Sequence, residues 1–139
     1  MATNIRPEIT KRSKYYISRH RYYELKHFCL QYFEWKREYQ TLSDGLGAGS
    51  NALNEVVIKN SQSDLTSEKA VYLAELKSNM EIVETVANDA DREIGGYIFK
   101  AVTEGISFTT LKTSYDIPCE KDMFYDRYRR FFWMLDKRR

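Results

Sequence analysis

Apolar residues recur every three or four positions along most of this chain, and the places where the rhythm stops divide it into helices. Between residues 15 and 42, Ser18, Tyr22, Leu25, Cys29 and Tyr32 fall along one side of a helical wheel, with Phe28 and Tyr39 at its margin. Glu24, His27, Gln31, Glu34 and Glu38 fall opposite. This predicts one long N-terminal helix, preceded by a basic arm over residues 1–14 that carries Arg6, Lys11, Arg12 and Lys14 around Pro7. Residues 43–51 are rich in Gly, Ser and Asn and have no period, so residues 43–66 read as a flexible linker. Gly45, Gly47 and Gly49 alternate as in a phosphate-cradling loop, but they follow a helix rather than a strand and lack a following Lys-Ser/Thr. The run from Leu53 to Ile58 fits an extended patch or a helical turn equally.

Thr66 or Ser67 suits the cap of a second long helix, with Glu68 near its positive end. Leu73, Leu76, Met80, Val83, Ala87, Ala90 and Ile94 then alternate by three and four. About three heptads of this kind favour an intramolecular bundle, and the seam Leu73, Leu76, Met80, Val83 and Ala87 also suits a homodimer interface. The side-chain oxygens around Asn88, Asp89 and Asp91 predict a break, with a new helix beginning near Arg92. Gly95 and Gly96 each weaken that helix by about 1 kcal/mol relative to alanine, so it must lean on tertiary packing or admit a close neighbour.

The last part, about residues 92–139, predicts a helix-turn-helix. One helix stops at Gly105, a short one ends by about Asp116, and Pro118 forces a corner because its ring fixes φ and disfavours a helical conformation at Ile117. Helical periodicity then resumes to the end. In this final helix Phe124, Tyr128, Phe131, Phe132 and Leu135 share a core side; Asp122, Asp126, Arg129, Arg130, Trp133 and Lys137 lie opposite. A helix that buries one face and offers a basic one suits a DNA groove. Lys121, Tyr125 and Arg129 then fall near bases, while Arg127, Arg130, Lys137, Arg138 and Arg139, with Lys11, Arg12 and Lys14 of the arm, fall near phosphates. The fold class expected is therefore all-α: a helical bundle with a long N-terminal helix, a long middle helix and a C-terminal helix-turn-helix, residues 67–139 forming its helical region.

Charge sharpens this picture more than the net value of +2 does. Residues 1–40 hold nine Lys/Arg against four acids, residues 41–106 five against eleven, and residues 107–139 eight against five. Basic ends flank an acidic middle, a field that draws phosphate to the ends. The chain's 139 residues suffice for one ordinary domain. It shows no apolar run of membrane-spanning length and no signal-peptide pattern, which predicts a cytoplasmic protein with no membrane partner. Two distant cysteines, Cys29 and Cys119, read as buried thiols rather than a disulfide framework. His20 and His27 lack accompanying paired cysteines, so no zinc site is expected. No nucleophile elbow, metalloprotease helix or Walker loop is present, and Asp89 with Asp91 fits a helix cap better than a catalytic dyad. No enzymatic activity or cofactor is expected.

The stretch from Lys100 to Arg139, above all Ala101–Gly105, the Ile117-Pro118-Cys119 corner and the Phe124–Phe132 helix, resembles the C-terminal segment of small proteins encoded by phages and prophages of Gram-positive bacteria. Together with residues 13–35, the likeness covers well over half the chain. It points to relatives of the RinA and ArpU late-transcription regulators, whose C-terminal segment is similar to the promoter-reading helix-turn-helix of sigma factors. Glu120 and Lys121 stand where that pattern carries glycine and arginine. The resemblance implies a transcription regulator that binds double-stranded DNA inside a bacterial host, and a dimer formed along the Leu73–Ala87 seam would suit two half-sites. A reading of another class is an adaptor or inhibitor of a host complex, RNA polymerase or a defence nuclease. Trp133, between Arg130 and Lys137, would then serve as an anchor.

Overall fold

The computed structural model describes residues 13–45 and 63–139, and the secondary structure of these residues is entirely helical. Six helices follow in order: α1 (Arg19–Leu30), α2 (Tyr32–Gly45), α3 (Ser63–Ala90), α4 (Gly95–Glu104), α5 (Phe108–Tyr115) and α6 (Lys121–Arg138). The all-α class expected from periodicity is therefore the architecture observed. Lys11 and Arg12 of the basic arm, the Gly47–Gly49 part of the linker and the run from Leu53 to Ile58 lie outside the described residues.

The chain divides into two compact units, one ending at Gln31 and resuming from Ile82 to Arg139, the other spanning Tyr32–Glu81. One boundary coincides with a break that periodicity did not show. The single helix expected over residues 15–42 is two helices, because at Gln31 the backbone N–H turns to the carbonyls of Phe28 and Cys29, tightening the last turn of α1. Ser18, expected on the apolar stripe, is exposed and instead caps α1 by accepting from the Arg21 N–H at 3.3 Å. At the other side of the linker α3 begins at Ser63, one turn before the expected cap, so Thr66 lies inside the helix and is buried.

In the smaller unit, Tyr32 and Trp35 of α2 and Leu73, Leu76 and Met80 of α3 are buried. The Tyr72 hydroxyl donates to the Glu38 carboxylate, tying α2 to α3. Val71 and Tyr72 stay exposed, at 58% and 42%.

In the larger unit, α1 packs on α4 and α6, and α4 packs on α5 and α6. Leu25 and Cys29 of α1, Ile98 and Val102 of α4, Leu111 of α5 and Phe124, Phe131, Phe132 and Leu135 of α6 form its core with Val83 and Val86 of α3. Edge-to-face ring pairs run through it: Phe132 meets Tyr22 with centroids 5.0 Å apart and Phe131 at 4.9 Å. The break expected around Asp89–Asp91 is present, because one Asp91 oxygen accepts from the N–H groups of Glu93 and Ile94 at 2.8 and 2.9 Å and turns the chain into α4. Gly95 answers the need for a close neighbour. A β-carbon there would lie 2.7 Å from the Ala87 carbonyl oxygen, so only glycine lets α4 start directly beneath the end of α3.

Candidate nucleic-acid interface

Two turns place the last helix. Gly105, with φ of 72°, ends α4 in the left-handed conformation that glycine adopts without strain. Two residues later the Ser107 hydroxyl caps α5 by accepting from the Thr110 N–H at 3.2 Å. α5 ends at Tyr115, and Asp116 takes a left-handed φ of 53°. The Ile117 N–H then donates back to the Leu111 carbonyl at 3.2 Å. Lys112 closes the corner: its ammonium reaches the carbonyl oxygens of Ile117 and Cys119 at 3.4 and 3.5 Å, across the proline. The corner thus falls where Pro118 predicts it, and α6 leaves at Lys121.

Around α6 the side chains sort by angle. Phe124, Phe131, Phe132 and Leu135 face inward and are almost wholly buried. Arg127 and Arg138 lie at the edge of that stripe, within about 40° of Phe131 on the wheel. From there Arg127 Nε donates to Asp91 at 2.9 Å and its Nη1 pairs with Asp126, while Arg138 Nη1 meets Asp89 at 2.8 Å. These contacts correct the expectation that both arginines stand at phosphates: they clamp α6 to the end of α3 and the turn that follows it. The Asp91 side chain is only 12% exposed, and its carboxyl lies below the ordinary range. Burial pushes it up, but the Ile94 N–H, Arg127 and the Glu93 N–H together outweigh that. On the opposite edge Arg21 Nε of α1 meets Asp136 at 2.6 Å.

Tyr125 also departs from its expected place. Its ring stands 4.9 Å from Phe124 and 5.8 Å from Tyr128, turned toward the packed aromatics. Burial raises its hydroxyl above the ordinary tyrosine value.

The outward face carries Asp122, Asp126, Arg129, Arg130, Trp133 and Lys137, the set read from the wheel. Asp126 is occupied by Arg127, and among the described residues no ion pair engages Lys121, Arg129, Arg130 or Lys137. Arg130 Nε is buried without a hydrogen-bond partner.

Sequence periodicity missed one part of this surface. Tyr15, before α1, packs on Trp133 with centroids 5.6 Å apart, the Lys137 ammonium lies 4.2 Å above the Trp133 ring, and that of Lys14 lies 5.1 Å above Tyr15. The result is a cation–aromatic ladder, Lys14, Tyr15, Trp133, Lys137, crossing from the N-terminal segment to α6. Trp133 is accordingly half-buried rather than a free anchor. Arg139 lies 4.2 Å above the Phe28 ring. Nothing in the spacing of residues 13–15 signals this docking, because it depends on a partner more than a hundred residues away.

The seam proposed for a second copy is not on the surface. Leu73, Leu76, Met80, Val83 and Ala87 are all buried within the chain, so a coiled-coil dimer along it would require unfolding the core. Among the described residues no group of His, Cys, Asp and Glu is placed to hold a metal ion, and no helix is long and apolar enough to cross a membrane. Cys29 and Cys119 are free buried thiols, and the Cys29 thiol is driven far above its ordinary value by burial. A scan of family models and searches of curated proteins and solved structures give no match to this chain.

Proposed function

We propose that this chain is a phage- or prophage-encoded transcription regulator that binds duplex DNA through α5, the Pro118 corner and α6. The observation that carries the reading is the outward face of α6: Arg129, Arg130 and Lys137 have no carboxylate partner among the described residues, while other arginines of the same helix are consumed in clamping it. A helix held by Arg127–Asp91, Arg138–Asp89 and Arg21–Asp136 keeps a fixed presentation, which backbone-phosphate contacts require. Glu120 and Asp122 surround Lys121 at the first turn of α6; they favour the helix dipole and repel phosphate. Binding therefore leans on the middle and end of α6 and on Lys14, rather than on its first turn. Tyr125, Arg127 and Arg138 drop out of the DNA-contacting set.

Anisotropy of a labelled mixed-sequence duplex across a salt series tests the proposal. Four released counterions, one each for Lys14, Arg129, Arg130 and Lys137, give a log–log slope of about −3.6. A slope near zero, or no binding at low ionic strength, refutes it.

A second reading has its own observation. Val71 and Tyr72 are exposed on α3 beside Glu68 and Glu75, an apolar and acidic patch suited to a protein partner, whether host RNA polymerase or another host protein. Under this adaptor or inhibitor reading a partner captured from host lysate survives nuclease treatment and is lost on Tyr72→Lys, while duplex DNA does not bind.

A further inference from the structure

Beside the outward face of α6, the larger unit encloses a second feature that the DNA reading does not use. A cavity of about 240 Å³ opens between α1, the Gly105–Ser107 turn and the first half of α6. Its open surface comes mainly from Leu30, Ile106, Tyr125 and Tyr128, while Tyr22, Val102, Phe124 and Phe132, almost wholly buried, close its floor. The rings already pair edge to face: Tyr128 stands 5.0 Å from Phe132, and the hydroxyls of Tyr22 and Tyr128 lie 2.9 Å apart in a shared hydrogen bond. A flat ring entering this space meets both ring edges and ring faces.

Charge narrows the choice further. Lys26 is the one charged residue in the lining, and no carboxylate stands in it. The Lys26 ammonium lies 6.0 and 5.9 Å from the ring centroids of Tyr22 and Tyr23, and no ion pair engages it among the described residues. Size sets the remaining limit. A cavity of about 150 Å³ holds a benzene ring, whereas drug-sized ligands occupy about 300 Å³ or more. A volume of about 240 Å³ suits one ring with one small substituent.

We infer that this cavity is a binding site for a small aromatic monoanion, an aryl carboxylate, with the ring against Leu30, Ile106 and Tyr125 and the carboxylate at Lys26. A ligand seated there touches α1, the α4–α5 turn and α6 together, so it braces the helices that form the corner. The inference rests on the cavity alone and stands whether or not α6 binds DNA.

Nitrogen-15 amide spectra of the full chain, titrated with benzoate and separately with its neutral isostere benzamide, test it. The site predicts saturable benzoate shifts at the amides of Gly105, Ile106, Ser107 and Tyr125, with benzamide weaker by about fivefold, the worth of a half-exposed ion pair. Lys26→Met keeps the apolar stem and removes the charge, so in this variant the two probes should bind alike. Benzoate shifts that grow linearly without saturation, or that map elsewhere, overturn the inference. So does benzamide binding as tightly as benzoate to the unaltered chain, which requires no variant to fold, or a preference for benzoate that persists in Lys26→Met.

Discussion

Replacing Gly95 by alanine should destabilise the chain, whereas the same change one residue later should stabilise it. At Gly95 an added β-carbon lies 2.7 Å from the Ala87 carbonyl oxygen and 3.2 Å from the Asn88 α-carbon; both are backbone atoms that no rotamer can move aside. Ordinary carbon–oxygen contact begins near about 3.3 Å, so the start of α4 must retreat by roughly 0.6 Å from the end of α3. Overpacking of this kind costs about 1–3 kcal/mol, and the helix-propensity gain of at most about 1 kcal/mol offsets only part of it. At Gly96 an added β-carbon meets nothing within 4 Å, so the propensity gain of about 0.5–1 kcal/mol stands unopposed. Two chemically identical changes at adjacent positions should therefore differ by about 2 kcal/mol in opposite directions. Urea melts followed by helical circular dichroism would read this as midpoints ordered Gly96→Ala, native, Gly95→Ala. Equal midpoints for the two variants would refute the close approach of α3 and α4 on which the placement of α5 and α6 depends.

The Asp91 carboxyl, held below its ordinary value of 3.8, stabilises the fold at all pH above that value and loses this contribution as pH falls through its lower folded value. Asp91→Asn should therefore flatten the acid limb of a stability–pH profile below about pH 4, and an unchanged limb would count against the linkage. Arg127→Met should cost about 1–2 kcal/mol in a urea melt through loss of the Asp91 contact, yet leave the salt slope of duplex binding unchanged; a slope shallower by about one would return Arg127 to the phosphate-contacting set. Asp116→Gly, at a left-handed φ of 53°, should raise the melting midpoint by the equivalent of about 0.5–1 kcal/mol, and a lower midpoint would mean that the aspartate side chain holds the corner.

What could be read from the chain in advance follows from the range of each interaction. The α6 core stripe, the Pro118 corner and the Asp91 break depend on neighbours within a turn or two, and period, ring constraint and side-chain oxygens announce them. The division of α1 from α2 at Gln31 left no trace, because Tyr32 and Trp35 continue the apolar spacing of Tyr22, Leu25 and Cys29 without a glycine or proline between them. Sequence places Arg127 and Arg138 near phosphates because a wheel shows which side a residue occupies but not that Asp89 and Asp91 arrive at its edge. Tyr125 was misplaced for a related reason: its angle borders the core, and Phe108 from α5 lies 6.4 Å from it, centroid to centroid. The seam on α3 was correctly seen as apolar, but periodicity alone does not distinguish a surface bound for a second copy from one buried in its own chain.

The most direct test of the central claim is an amide-shift map of the full chain titrated with a short duplex at low salt. The account predicts that the largest perturbations fall on Arg129, Arg130, Trp133 and Lys137 of α6, with smaller ones at the Pro118 corner, and that they collapse as salt is raised. Perturbations centred on Val71 and Tyr72 of α3, or none at all, would contradict it.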